Sequence, residues 1–168
     1  DLSPLSSLTS LESLDIMNTG ATDLTPLRGL ANLEKLKIAN PDISDLTPLK
    51  DLTNLRILML DNGDLPSSAI TDLSPLSELV NLESLAIPPQ PNYTDFSCPS
   101  GLTNLKVFRM MGSKSSGTNS VSSLDFLANM TQLEELRIVV AAGDLSALAG
   151  LTNLRSVSLD GVLHAPDT

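Results

Sequence analysis

One frame of residues recurs seven times along this chain. Aligning on the leucine that follows TS, AN, TN, VN or TQ places equivalent residues at Leu11, Leu33, Leu55, Leu82, Leu105, Leu133 and Leu154, with spacings of 22, 22, 27, 23, 28 and 21. A unit this short cannot bury its own apolar face. It is stable only when a neighbour on each side stacks against it and the copies share one continuous core.

Each copy carries the pattern L-x-x-L-x-L, read as LESLDI, LEKLKI, LRILML, LESLAI, LKVFRM, LEELRI and LRSVSL. Alternation over the last residues of that pattern sends apolar side chains to one face and variable ones to the other, which predicts a short, half-buried strand. The preceding segment, as in DLTPLKDL, offers Thr47 as a cap and Pro48 as the first residue of a helical turn, where the missing N–H of proline removes no needed bond. The aspartates that open the copies are expected to cap these turns. Copies start near residues 1, 23, 45, 72, 95, 123 and 144, within one expected domain spanning 1–168.

The frame resembles leucine-rich repeats, in particular the 22-residue class found in bacterial internalins and in a regulatory subunit of protein phosphatase 1; DLTPLKDLTNLRILML carries the match. The resemblance implies an α/β-type solenoid. It would be a right-handed curved array of about seven repeats, with a concave parallel β-sheet and short 3₁₀ or helical turns on the convex side. The class usually places Asn three residues after the last strand leucine. Here Thr19, Pro41 and Gly63 hold those places, and Asn18, Asn40 and Asn62 stand one residue earlier. Either the turn has a different local geometry that these asparagines satisfy, as a ladder of side-chain bonds spaced by 22 would suggest, or the backbone there is paired by other means.

Composition narrows the function. Twenty acidic residues against ten basic ones give a net charge of −10, which repels phosphate backbones and anionic membranes, so nucleic acid is not an expected partner. The chain has no apolar run of the roughly 20 residues that cross a bilayer, so no membrane insertion is expected in this segment. Cys98 is the single cysteine and His164 the single histidine, which leaves no metal-ligand spacing. No triad, carboxylate pair or glycine-rich phosphate loop can be assembled, so neither enzyme activity nor a cofactor is expected. Cys98 takes the place of the proline in other copies and is read as a small buried residue. The glycosylation patterns at Asn92 and Asn129 carry weight only in a eukaryotic secreted protein.

A protein partner is the expected ligand. Strand positions alternating with the leucines should line the concave face: Ser13, Asp15, Lys35, Lys37, Ile57, Met59, Ser84, Ala86, Val107, Arg109, Glu135, Arg137, Ser156 and Ser158, flanked by Met17, Ala39, Asp61, Pro88, Met111 and Val139. Lys35, Lys37, Arg109 and Arg137 offer charge, and Ile57, Met59, Val107 and Met111 offer apolar contact in the middle copies. Three consecutive copies are lengthened at one phase: DNGDLPSSAIT after Leu60, PPQPNYT after Ile87 and MGSKSSGTNSVSS after Met110. Such insertions stack along one edge of a solenoid, so Leu65, Ile70, Pro88, Pro91 and Tyr93 are expected on a recognition edge. Tyr93, the one tyrosine, is the candidate aromatic anchor.

Three functional readings stay open at this point. The first is an internalin-like module of the cell surface or exterior, acting in adhesion or recognition. A cytoplasmic scaffold or regulatory subunit resembling the phosphatase regulator is the second. The third is a structural repeat whose uncapped ends self-associate into a layer or fibre. The absence of recognisable polar capping units leads us to expect a fragment of a longer protein.

Overall fold

In the computed structural model, residues 1–60, 68–88, 97–110, 121, 123–140 and 144–160 are described. Seven strands form one parallel sheet in sequence order: β1 (Ser13–Asp15), β2 (Lys35–Lys37), β3 (Ile57–Met59), β4 (Ser84–Ala86), β5 (Val107–Met110), β6 (Glu135–Val139) and β7 (Ser156–Asp160). At about 4.8 Å per strand the sheet is roughly 30 Å across. Behind it run 3₁₀ turns at Ser3–Ser7, Thr25–Leu27, Thr47–Leu49, Ser74–Leu76, Asp125–Leu127 and Ser146–Gly150, and a single-turn helix, α1, at Ser97–Ser100.

The return path of each copy is built by leucines three apart. In the second copy Leu27, Leu30 and Leu33 each donate their N–H to the carbonyl of the leucine before, Leu24, Leu27 and Leu30, at 2.9, 3.0 and 2.9 Å. A 3₁₀ helix has three residues per turn, so side chains at this spacing eclipse on one face. That face is the core: Leu24, Leu27, Leu30 and Leu33 are at most 1% exposed. The same cascade runs through Leu46, Leu49, Leu52 and Leu55 and through Leu73, Leu76, Leu79 and Leu82.

Capping differs from the expectation in one respect. Thr47 lies inside its turn, with Pro48 second, and the capping side chain belongs to the aspartate two residues before. The N–H groups of Ser3, Thr25, Thr47, Ser74 and Ser146 donate to Oδ1 of Asp1, Asp23, Asp45, Asp72 and Asp144 at 2.8–2.9 Å. Hydrogen bonds from the Thr25 and Thr47 side chains, then from their backbones, hold the Asp23 and Asp45 carboxyls below their ordinary value. The repeated Asp-Leu-Thr/Ser-Pro segment is therefore a cap carried by the first aspartate.

Neighbouring copies are stitched by two sets of bonds. The N–H groups of Glu34 and Lys35 both donate to the Glu12 carbonyl, at 2.8 and 3.0 Å, and Arg56 and Ile57 do the same to Glu34. A ladder of exposed asparagines adds to this. Asn32, Asn54, Asn81, Asn104 and Asn153 donate through Nδ2 to the carbonyls of Thr9, Ala31, Thr53, Val80 and Thr131 in the copy before, at 2.8–2.9 Å. The asparagine that precedes five of the seven aligned leucines is thus a clamp between copies.

The second asparagine series behaves less uniformly. Asn40 is buried, donates through Nδ2 to the Ala21 carbonyl at 2.9 Å, and accepts the Asp42 N–H at 3.0 Å. Asn18 in the first copy adopts a left-handed backbone with φ 58°, a conformation asparagine tolerates better than most residues. Asn62 lies outside the described residues.

Two aromatic substitutions compensate each other across the stack. Phe108 stands where five other strands place leucine, and Phe126 stands where four other turns place proline. Their rings meet edge to face with centroids 5.9 Å apart and planes at 72°, a favoured quadrupole arrangement. Cys98 is buried, as its place in the frame indicated.

Burial at one position of the frame shows what stacking contributes. Leu36, Leu58, Leu85, Phe108 and Leu136 occupy one inward register and are 0 or 1% exposed, whereas Val157 in β7, the last described strand, is 46% exposed. Replacing Leu85 or Leu136 with Ala should lower stability by about 2 to 5 kcal/mol in urea unfolding. Val157→Ala should lower it by less than about 1 kcal/mol, because little contact is lost. Equal effects at all three positions would contradict shared burial as the source of stability.

Candidate functional site

The outward face of the sheet is made by two rows of side chains. Register pairs Ser13, Lys35, Ile57, Ser84, Val107, Glu135 and Ser156 in one row, and Asp15, Lys37, Met59, Ala86, Arg109, Arg137 and Ser158 in the other. Strand alternation accounts for this directly: Lys35 and Lys37 flank the fully buried Leu36, and Ile57 and Met59 flank Leu58. The structure therefore brings Lys35, Lys37, Ile57, Met59, Val107, Arg109 and Arg137 onto one face.

Other candidates fall elsewhere. Ile70 is 2% exposed and belongs to the apolar core. It cannot contribute an exposed recognition contact; the N–H of its neighbour Ala69 donates to the Pro41 carbonyl at 2.8 Å, tying this segment to the copy before. Pro88, Ala39 and Ala86 are also buried. Leu65, Pro91, Tyr93 and Met111 lie outside the described residues, as do most of the three insertions.

Apolar and charged groups are segregated on this face. Its middle, over β3 to β5, presents the half-buried Ile57, Met59 and Val107. On one side stand Lys35 and Lys37, the latter 3.5 Å from Asp15. On the other, Glu135 lies between two arginines. Arg109 binds it through Nε to Oε1 and Nη2 to Oε2, both at 3.0 Å, while Arg137 Nε reaches Oε1 at 2.8 Å. The paired bonds from Arg109 match the fork geometry of guanidinium and carboxylate.

A second charged row, one residue ahead of the strands, was not among the sequence candidates. Glu12, Glu34, Arg56, Glu83, Lys106, Glu134 and Arg155 follow the aligned leucines in order. Glu83 is held by Arg56, with Nε at 2.8 Å, and by Lys106 at 2.7 Å; Arg155 reaches Glu134 at 3.4 Å. An open groove of about 440 Å³ runs between this row and the first sheet row, from Glu12 and Ser13 to Lys106 and Val107. The sign of its charges changes along the sequence, and that was the signal available for finding it.

The fold is shared with solved structures of internalins. An internalin C2 from Listeria monocytogenes matches at 29% identity with a TM-score of 0.73, covering 96% of this chain and 71% of its own. Internalin F of the same organism matches at 27% identity with a TM-score of 0.64 over 95% of this chain. This chain has an internalin-like leucine-rich repeat fold. It spans about half the length of internalin F, 50%. The functional domain of the Listeria monocytogenes protein InlJ, described as including a cysteine ladder, shares the fold at 21% identity and a TM-score of 0.60, with 92% of this chain covered and 31% of that one. No family model and no curated protein matches the chain.

In this internalin-like array the outward sheet face is the concave side, and its charges are coupled to pH. Hydrogen bonds from Arg109 hold the Glu135 carboxyl below its ordinary 4.5; partial burial opposes them, and the charges of Arg109 and Arg137 add to them. Hydrogen bonds from Lys106 and Arg56 likewise lower Glu83. A carboxyl lowered in the folded state contributes stability that is present above its unfolded value and is lost as pH falls through the folded one. Stability should therefore fall below about pH 4.5. Glu135→Gln should flatten part of that fall, by less than about 1 kcal/mol because the pair is partly solvated. Urea midpoints of both proteins across this range check it, and identical acid limbs would show that the Glu135 pairs contribute nothing.

Proposed function

We propose that this chain is a protein-binding repeat module of an internalin-like protein at the cell surface or outside the cell, acting in adhesion or recognition without catalysis. The observation that carries the reading is the sheet face itself. Apolar Ile57, Met59 and Val107 lie between Lys35 and Lys37 on one side and Arg109 and Arg137 on the other. An apolar centre with a charged rim is the common anatomy of a protein interface. Similarity to internalins supports the module class, and the surface location is our inference from that similarity.

Residues on rigid strands are suited to this role because their positions are set by backbone register. Met59 can adapt its flexible thioether to a partner, and Arg109 is kept at the face by its paired bonds to Glu135 until a partner's carboxylate takes its place. With a purified protein partner, Met59→Ala and Arg109→Ala should each weaken binding at least about tenfold, or roughly 1.4 kcal/mol. Urea midpoints near that of the parent protein would separate this from unfolding. On intact cells of the source organism, an antibody to the chain should label the surface or the medium. Labelling confined to the cell interior would favour the scaffold reading.

A further inference from the structure

Charge is distributed unevenly between the sheet face and the rest of the chain. The two outward rows hold four cations, Lys35, Lys37, Arg109 and Arg137, against two carboxylates, Asp15 and Glu135. The whole chain holds ten against twenty, which leaves six cations against eighteen carboxylates everywhere else. The sheet face is thus a positive island in an acidic molecule. Its internal pairs do not cancel it, because Glu135 alone serves both Arg109 and Arg137.

The cations are also placed at two ends of an apolar strip. In the second row Lys37 on β2 is separated from Arg109 on β5 and Arg137 on β6 by Met59 and Ala86. Three or four strand spacings of about 4.8 Å set these ends roughly 14 to 19 Å apart. An extended chain advances about 3.3 Å per residue, so it spans that interval in about four to six residues.

We propose that the strip recognises an extended acidic segment of a protein partner, with two carboxylate side chains about four to six residues apart and apolar side chains between them. The segment crosses the strands, its apolar residues seat on Ile57, Met59 and Val107, and its carboxylates meet the lysine pair at one end and the arginine pair at the other. Asp15 and Glu135 act as place-holders: each occupies a cation in the unbound state and competes with the incoming carboxylate. This inference rests on the protein-binding reading above and adds the chemistry of the partner. Long-range attraction adds selectivity, since the net negative charge of the remainder of the chain disfavours an acidic partner away from this face.

The test is selection of a displayed random 12-residue peptide library on the purified chain, followed by fluorescence anisotropy with synthetic copies of the enriched peptides. Enriched sequences should carry paired Asp or Glu at the stated spacing, and affinity should fall steeply as salt is raised. Lys35→Glu with Lys37→Glu, and separately Arg109→Glu with Arg137→Glu, should each weaken binding at least about tenfold. Glu135→Gln should strengthen it several-fold by removing the competing carboxylate, a gain that unfolding cannot mimic. Enrichment of basic or uncharged peptides, or binding that is unchanged by charge reversal and weakened by Glu135→Gln, overturns the proposal. If no peptide is enriched while a folded partner still requires Met59 and Arg109, the acidic-segment proposal fails and the protein-binding reading stands.

Discussion

An L-x-x-L-x-L unit leaves apolar surface exposed until another unit is laid against it. Everything else in this protein depends on that shared burial. Leu36, Leu58, Leu85 and Leu136 reach 0 or 1% exposure because each lies between two neighbours, and Val157, with the same register and one described neighbour, remains 46% exposed. With only 2% aromatic residues, the core gains its stability from many similar aliphatic contacts. Its stability is therefore close to a sum over adjacent pairs of copies.

The polar parts of the frame solve the problem that stacking creates. Tight returns leave backbone groups unpaired, and a buried unpaired group costs about 1 to 3 kcal/mol. Aspartates cap the start of five of the described turns and Ser123 that of a sixth, leucine N–H groups bond back three residues, and asparagines bridge to carbonyls of the copy before. Each role occupies a fixed place in the frame. The outward strand positions carry no such duty, and so they are free to differ from copy to copy and to bear function.

Functional variety is accordingly concentrated on one face. The lysines of β2, the apolar residues of β3 to β5 and the arginines of β5 and β6 lie far apart in sequence, from Lys35 to Arg137, yet form a strip of a few side chains. An asymmetric strip of this kind, apolar in the middle and cationic at the ends, presents a distinct chemistry to a partner even though the scaffold beneath it is monotonous. The fold supplies rigidity, and the variable positions supply specificity.

The repeat frame alone determined the parallel strands, their order and which leucines face inward, because an array with neighbour-only contacts leaves little freedom in topology. It also determined which residues share the outward face, since alternation along a strand is a property of the backbone. Tertiary structure decided what depends on contact across copies. It made the asparagine before five of the aligned leucines a clamp, and it drew Ile70 into the core. It also set Glu135 between Arg109 and Arg137. The asparagine clamps and the Arg109–Glu135 pair join residues 19 to 28 positions apart, and they exist only once the stacked register brings those side chains within bonding distance.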